Sequence, residues 1–337
     1  MGELRRDPTS NDWVVFSTDR AKRPQAPLQK TRCEELPPFE KSCPFCPGNE
    51  SRTPPELYRH PVPNGNPDWL VRVVPNAFPA LASTGTAQRT EEGRLFHRMD
   101  AFGAHEVVIE TPSHNTPLAL LDYGHIEQVM KSYLERYKAL SRDRSLKYIT
   151  IFKNQGLAAG TSLAHPHSQL VATPVASPAY RKYFEIAVDY YDDVGKCLYC
   201  DMLRQEKERG VRVVAEADNF LVFHPYASHS AYETWIAPLE HSASFGCIGP
   251  QHVPELAGVL KDALLAIRRG LDDPDFNLMF LTSTTDDEDD PYYHWHIRIV
   301  PRLTTLAGFE LGSGMRINTM YPEDTAKMLR DLWRRES

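Results

Sequence analysis

Apolar positions recur at three- and four-residue steps in two long stretches. Ile126, Val129, Met130, Tyr133, Leu134 and Tyr137 fall on one face of a helix over 122–141, and a similar stripe predicts a second helix over about 252–269. A third, over 322–335, opens with Glu323 and Asp324 in its first turn, where acidic side chains favour a helix start. Shorter runs rich in β-branched and aromatic residues predict strands at Trp13–Ser17, Arg72–Leu81, Gly103–Thr111, Lys147–Phe152 and Asn277–Thr282. The run Ala164–Leu170 also reads as a strand. Alternation then places His165, His167 and Gln169 on one face, with Pro166 suited to an edge or a bend. The 27 prolines predict many turns and strand ends rather than long helices.

The pattern occurs twice. Cys43-Pro-Phe-Cys46 returns as Cys197-Leu-Tyr-Cys200, and the Asn76-Ala-Phe78 neighbourhood returns as Asp218-Asn219-Phe220. Glu106, Ile109 and His114 match Glu233, Ile236 and His241, and an amphipathic helix follows each of the two histidines. His165-Pro-His167 returns as His294-Trp-His296. The step from His114 to His165 is 51 residues and that from His241 to His294 is 53. A chain of 337 residues is long enough for two domains, and the repeat divides it into 1–183 and 184–337.

Charge narrows the function classes. A net charge of −7 argues against a general nucleic-acid binder, which needs a basic excess. No apolar run approaches the roughly 18 residues of a membrane span. The Met1-Gly2 start has no apolar leader, and Arg6 stands where a myristoylation signal needs Ser or Thr, so the expected location is the cytoplasm. The acidic run Asp286–Asp290 reads as a solvated loop.

Four of the six cysteines lie in Cys-x-x-Cys pairs, which in such a chain point to metal or redox chemistry rather than structural disulfides. Each repeat adds a histidine at a strand end and one from a His-x-His. Such Cys₂His₂ sets suit tetrahedral zinc. The expected ligands are Cys43, Cys46, His114 and His165 in one site. Cys197, Cys200, His241 and either His296 or His294 form the other, and the repeat itself favours His294. Redox-active or free thiols are the competing reading. Cys33 and Cys247 read as incidental thiols.

The copies differ where chemistry would differ. The first continues His167-Ser168-Gln169, an imidazole free to act as a nucleophile followed by an amide able to donate to an oxyanion. The second continues His296-Ile297-Arg298. Only the first is approached by a glycine-rich loop, Asn154–Ser162, whose Gly156 and Gly160 let backbone N–H groups near a phosphate. Catalysis is therefore expected in the first copy and a structural role in the second. Arg20, Lys22 and Arg23 read as a solvated loop or a phosphate clamp. The segment Ala307–Asn318 reads as a turn or a sugar-hydroxyl contact.

Taken together, these motifs resemble the galactose-1-phosphate uridylyltransferases, a branch of the histidine-triad superfamily, over nearly the whole chain. The resemblance rests on Asp7-Pro8 with Trp13-Val14, Arg20-Ala-Lys-Arg23-Pro24, Cys43 and Cys46, and Asn76-Ala-Phe78. It rests also on His114, Asn154 with Gly156 and Ser162, His165-Pro-His167-Ser-Gln169, and Gly308-Phe309-Glu310. It implies a duplicated histidine-triad-like α+β fold, two antiparallel half-barrel sheets with packed helices, in a homodimer whose active sites draw on both subunits. It also implies that His167 attacks the α-phosphorus of UDP-glucose to form a uridylyl-histidine, which galactose 1-phosphate then takes up. Gln169 is implied to bond the phosphoryl oxygen, and Asn154 and Ser162, beside Gly156, the phosphates. Asn76 and Phe78 are implied to hold the nucleoside, Arg20 and Arg23 the sugar phosphate, and Glu310 beside Phe309 the sugar hydroxyls. Zinc at His165 is implied to stiffen the strand that carries His167.

There are departures from the pattern. Arg316 stands where these enzymes carry a sugar-contacting Gln, and the second Cys-x-x-Cys with the Gly312-Ser-Gly314 tail is similar to the sister enzymes that phosphorolyse ADP-glucose. Adenylyl transfer to phosphate is thus the first alternative. A dinucleotide hydrolase and a zinc module without chemistry come after it. Gln169 opposes the hydrolase, because hydrolases of this superfamily place a third His there.

Overall fold

A computed structural model describes residues 2–22, 35–62 and 64–333. The chain begins with strands β1 (Glu3–Arg6) and β2 (Trp13–Phe16), then β3 (Tyr58–Pro61), β4 (Trp69–Pro75), β5 (Thr90–Glu92), β6 (Phe96–Arg98) and β7 (Ala104–Ile109). Helix α1 (Tyr123–Ser141), β8 (Tyr148–Gln155) and β9 (His167–Thr173) follow. Two helices, α2 (Pro178–Val194) and α3 (Leu198–Arg209), lead to β10 (Val213–Glu216), β11 (Phe220–Phe223) and β12 (Thr234–Pro238). The chain closes with α4 (Val253–Gly270), β13 (Phe276–Leu281), β14 (His296–Pro301), α5 (Gly308–Ser313), β15 (Arg316–Asn318) and α6 (Pro322–Trp333).

Ten strands form one antiparallel sheet in the order β10-β11-β12-β14-β13-β8-β9-β7-β4-β3. Each repeat contributes five strands in the same internal order. The halves meet where β8 pairs with β13, from Gln155 opposite Phe276 to Ile151 opposite Phe280. Strands β1, β2 and β15 form a separate small sheet, with Arg316 opposite Val14.

One face of the large sheet is covered by α1 and α4. The predicted stripe of α1 is buried there, and Asp122 caps that helix by accepting from the backbone N–H of His125, a cap worth about 1 kcal/mol. On the other face the two halves differ. In the second, α2 and α3 lay Tyr180, Ala187, Leu198 and Leu203 over Leu221, Phe223 and Trp235. In the first, among the described residues, the Cys43–Cys46 turn with Phe45 packs on Trp69, Val74, Val107 and Ile109.

The structure corrects several expectations. Helices are long despite the prolines: α1 has 19 residues and α4 has 18, because prolines sit at helix starts and in loops, as Pro178 and Pro254 do. Strand β9 starts at His167, so His165 and Pro166 belong to the incoming loop. The segment Ala307–Asn318 is not a turn but α5 followed by β15. Glu233 does not occupy the place of Glu106. When His167 is aligned with His296, the β7–β9 and β12–β14 ladders put Val107 opposite Gln169 and Trp235 opposite Arg298, so Glu233 takes the place of His105. The acidic run is anchored rather than only solvated: Ser244 donates to Glu288 and Tyr180 donates to Asp287.

Candidate active site and metal-ligating groups

His167 opens β9 and is 8% exposed. Its Nδ1–H donates to the carbonyl of His165 at 2.8 Å. That bond leaves the lone pair on Nε2, and burial holds the imidazole below its ordinary range, so the ring is neutral at pH 7. Phe45 meets it edge-on at 5.6 Å. These are the properties a nitrogen nucleophile needs: an unprotonated ring, a fixed tautomer and a packed position.

His167 lines a cavity of about 190 Å³ together with Asn154, Gly156, Ser162 and Leu163. Asn154 and Gly156 lie at the end of β8 and just beyond it. The side chain of Asn154 accepts from Asn277 at 2.7 Å. Gly156 has φ +84°, a positive value suited to glycine, and presses against Asp275. Ser162 is exposed on the loop.

Gln169, two residues along β9, is held by a residue that sequence reasoning missed. His105 on β7 accepts from the backbone N–H of Ala80 on Nδ1 at 3.1 Å, so its proton is on Nε2 and is donated to Gln169 Oε1 at 2.7 Å. The carbonyl end of the Gln169 amide is thereby engaged and its NH₂ is left to donate elsewhere. Asn76 Nδ2 stands 3.1 Å from the same His105 nitrogen, which brings Asn76 and Gln169 to one spot. Phe78, whose N–H is bonded by Asn76, is 92% exposed. A histidine in the middle of a strand run was the available signal for His105, but it has no repeat partner of its own type.

Behind the sheet, Lys153 and Glu110 form an ion pair at 2.7 Å, 2% and 0% exposed. Tyr133 and Ser168 also donate to Glu110.

Cys43, Cys46, His114 and His165 are all buried, and their four ligand atoms lie within 4.8 Å of one another. Both Sγ–His165 Nδ1 distances are 3.7 Å and Cys46 Sγ–His114 Nδ1 is 3.5 Å. Tetrahedral zinc with ordinary bond lengths sets ligand–ligand edges of about 3.6 Å. Further features fit a bound cation. His165 Nε2–H donates to the carbonyl of Thr111, which turns Nδ1 toward the sulfurs. Backbone N–H groups of Phe45 and Glu40 point at Cys43 and Cys46. Burial pushes the Cys46 thiol up to about 11, so a thiolate here needs a compensating charge.

The second group is looser. Cys197, Cys200 and His241 cluster, but Cys200 is half-buried and His241 is exposed. His294 completes the set better than His296. Its Nδ1 lies 3.8 Å from Cys200 Sγ while its Nε2–H donates to the carbonyl of Pro238, repeating the geometry of His165. His296 is turned away: its Nδ1 faces the carbonyl of His294 and its ring stacks on Trp235 at 4.1 Å. Covered by α3 through Tyr199, it is 2% exposed.

Arg20, Phe309, Glu310 and Arg316 are not among the residues that line the cavity. Arg20 is exposed in the turn Thr18–Lys22, and Arg23 falls outside the described residues. Phe309 and Glu310 sit on α5, where Glu310 caps its own helix through the N–H of Ala307, and Arg316 lies on β15.

A family model described as galactose-1-phosphate uridyl transferase, N-terminal domain, matches residues 2–176. An ADP-glucose phosphorylase from Arabidopsis thaliana is 38% identical over 98% of this chain and 93% of its own length. A galactose-1-phosphate uridylyltransferase from Thermotoga maritima is 29% identical over 98% of both. Among solved structures, an Arabidopsis ADP-glucose phosphorylase with bound ADP-glucose superposes with a TM-score of 0.84 at 36% identity, covering 98% of each chain. The fold is thus the duplicated histidine-triad-like α+β fold, and with its N-terminal half matched and its whole length shared, the chain belongs to the galactose-1-phosphate uridylyltransferase family.

Proposed function

We propose that this chain moves a nucleotidyl group through a covalent intermediate on His167. The observation that carries the reading is the geometry of His167, its Nδ1–H committed to His165 and its ring on the wall of the cavity. His167 Nε2 attacks the α-phosphorus of a nucleoside diphosphate sugar. An N–P bond forms, the P–O bond to the β-phosphate breaks, and the sugar 1-phosphate leaves with that bond's electrons. An acceptor phosphate oxygen then attacks the same phosphorus from solvent and frees the histidine. The Gln169 NH₂, fixed by His105, donates to the phosphoryl oxygen as charge builds there. Asn154, Gly156 and Ser162 contact the phosphates, and Asn76 and Phe78 the nucleoside.

Cys43, Cys46, His114 and His165 would hold zinc in a closed four-ligand site, whose contribution is to stiffen the loop before His167 rather than to polarise substrate. Cys197, Cys200, His241 and His294 would hold a second ion. Arg20, Arg23, Phe309, Glu310 and Arg316 would supply sugar-phosphate and sugar-hydroxyl contacts to the cavity of the partner in a homodimer.

ADP-glucose as donor with phosphate as acceptor is supported by the 38% identity to the Arabidopsis enzyme and by the Gly312-Ser-Gly314 tail. UDP-glucose with galactose 1-phosphate, the first expectation from sequence, is supported by the family model and the Thermotoga relative. The deciding experiment is intact-protein mass after mixing with each donor, without acceptor. A gain equal to AMP, lost in His167→Ala, supports the first pair and a gain equal to UMP the second. No adduct from either donor on metal-loaded protein overturns the covalent mechanism.

A further inference from the structure

The two halves share a topology but not what lies behind their His-x-His. In the first half, three successive residues are tied to one buried ion pair. The N–H of Glu110 donates to the carbonyl of Pro166 at 3.2 Å. Lys153 Nζ donates to the carbonyl of His167 at 3.2 Å. Ser168 Oγ donates to the Glu110 carboxylate, which also receives the Tyr133 hydroxyl at 3.2 Å and Lys153 at 2.7 Å. His125 Nε2–H holds the Glu110 carbonyl at 2.7 Å.

Strand register identifies the same three positions in the second half. With His167 aligned on His296, Glu110 corresponds to Pro238, Lys153 to Phe280 and Ser168 to Ile297. Pro238 has no N–H to give, and Phe280 and Ile297 are buried apolar side chains. None of the three tethers can form there, yet the strands pair in the same order. The fold therefore does not need the pair. Buried ion pairs are in general replaceable by apolar packing without loss of stability. What sets the first half apart is that His167 lines a cavity, whereas its counterpart His296 is buried against Trp235 and Tyr199.

We infer that Lys153 and Glu110, with Ser168, are positioning residues for His167, clamping the main chain from Pro166 to Ser168 from the opposite face of the sheet. Lys153 and Glu110 act through the backbone and are not themselves bonded to the imidazole. Reactions in which a nucleophile must meet phosphorus in line lose rate steeply when it is misplaced by a fraction of an ångström. The pair thus sets the rate of the covalent step rather than the affinity for the donor. This inference rests on the nucleotidyl-histidine reading above.

The test uses the full-length, metal-loaded chain and follows the mass of the nucleotidyl adduct over time with ADP-glucose and with UDP-glucose. The double variant Lys153→Met/Glu110→Met gives the first half the apolar character of the second. Its melting temperature is expected to stay within a few degrees of wild type. Its rate of adduct formation at saturating donor is expected to fall about tenfold or more, with the half-saturating donor concentration changed less than about threefold. A folded double variant that forms the adduct at the wild-type rate overturns the proposal. If the double variant does not fold, Ser168→Ala decides: it removes one hydroxyl, leaves the ion pair, and is expected to slow the adduct about threefold at unchanged half-saturation. A wild-type rate in Ser168→Ala then overturns the clamp. Wild-type protein that forms no adduct from either donor overturns the function on which the clamp depends, an outcome distinct from the other two.

Discussion

The main-chain carbonyl of His165 accepts the Nδ1–H of His167 at 2.8 Å, while the His165 ring turns its own Nδ1 to Cys43 and Cys46 at 3.7 Å each. One residue thus faces the cysteine group with its side chain and fixes the nucleophile's tautomer with its backbone. Loosening the group should reach His167 directly. Cys43→Ser is expected to lower first-site zinc and to slow nucleotidyl transfer about 10- to 100-fold, the range seen when groups supporting a metal site are removed. Metal content and adduct rate measured on the same sample check this. Zinc lost with adduct rate unchanged would show that the two are not coupled.

The second group separates two neighbouring histidines. His294 faces Cys200 at 3.8 Å, whereas His296 stacks on Trp235. His294→Ala is expected to reduce bound zinc from two ions per chain to one. His296→Phe keeps an aromatic ring against Trp235 and is expected to leave the metal count unchanged. Elemental analysis after dialysis distinguishes them, and a loss of metal in His296→Phe rather than His294→Ala would reverse the ligand assignment.

Much of this was legible in the sequence because it lies in spacing. The Cys-x-x-Cys pairs and the 51- and 53-residue steps pointed to the two Cys/His groups, which could hold metal ions, and to the repeat that recurs in the two halves of the large sheet. Other features have no spacing signal. Helix α2 buries only Tyr180 and Ala187 fully, so no apolar stripe marks it. The match of Glu233 to Glu106 counted back from His241 and His114, and a one-residue difference between strand end and ligand in the two halves shifted it. Lys153 looks like any lysine in a strand until its buried partner Glu110 is seen. Of the sugar-contact candidates, Phe309 and Glu310 lie on α5 and Arg316 on β15 of the small sheet; none of them lines the cavity, and sequence carries no sign of that.

The glycine loop offers a paired test of close approach. Gly156 and Gly160 share a positive φ, +84° and +87°, but Gly160 is left-handed with ψ 23° while Gly156, with ψ 162°, lies in a region essentially open to glycine alone. A Cβ on Gly156 would lie 1.9 Å from Asp275 Oδ1, while one on Gly160 meets nothing within 4 Å. Gly160→Ala carries the strain of a left-handed residue alone, about 1 kcal/mol, whereas Gly156→Ala combines the larger strain of its backbone region, about 1–3 kcal/mol, with overpacking of about 1–3 kcal/mol. Denaturant unfolding should rank the two accordingly, and the Gly156 variant should also need more donor for half-saturation. Equal losses of stability would mean that Asp275 moves aside at little cost.

His105 makes a prediction about orientation rather than stability. Its Nε2–H holds the Gln169 carbonyl oxygen. His105→Phe keeps the ring volume but frees the amide to turn its oxygen toward the phosphate, where a donor is needed. Adduct formation is expected to slow about 10- to 100-fold, approaching the loss seen on removing an oxyanion donor, with zinc content unchanged. A variant as fast as wild type would remove His105 from the account of Gln169.

His224 sets part of the acid stability. It is fully buried between Thr325, 2.7 Å from Nδ1, and Thr234, 3.1 Å from Nε2, and burial lowers its pKa to about 3. The unfolded chain titrates this imidazole near the ordinary value of about 6.5. At pH 7 both states are neutral and no proton is taken up on unfolding. As pH falls below that value, the unfolded state binds a proton that the folded state refuses until about pH 3, so the fold loses stability at up to about 1.4 kcal/mol per pH unit. Other buried histidines contribute in the same direction, so the contribution of His224 is read as a difference from His224→Gln. That variant is expected to be about 1–2 kcal/mol less stable than wild type at pH 7, having lost a hydrogen-bonded ring. By pH 5 the gap should have shrunk by about 2 kcal/mol, because only wild type carries the penalty. Urea unfolding of the two proteins at both pH values measures it, and a gap that stays constant would mean that His224 takes up its proton equally in the folded and unfolded chain.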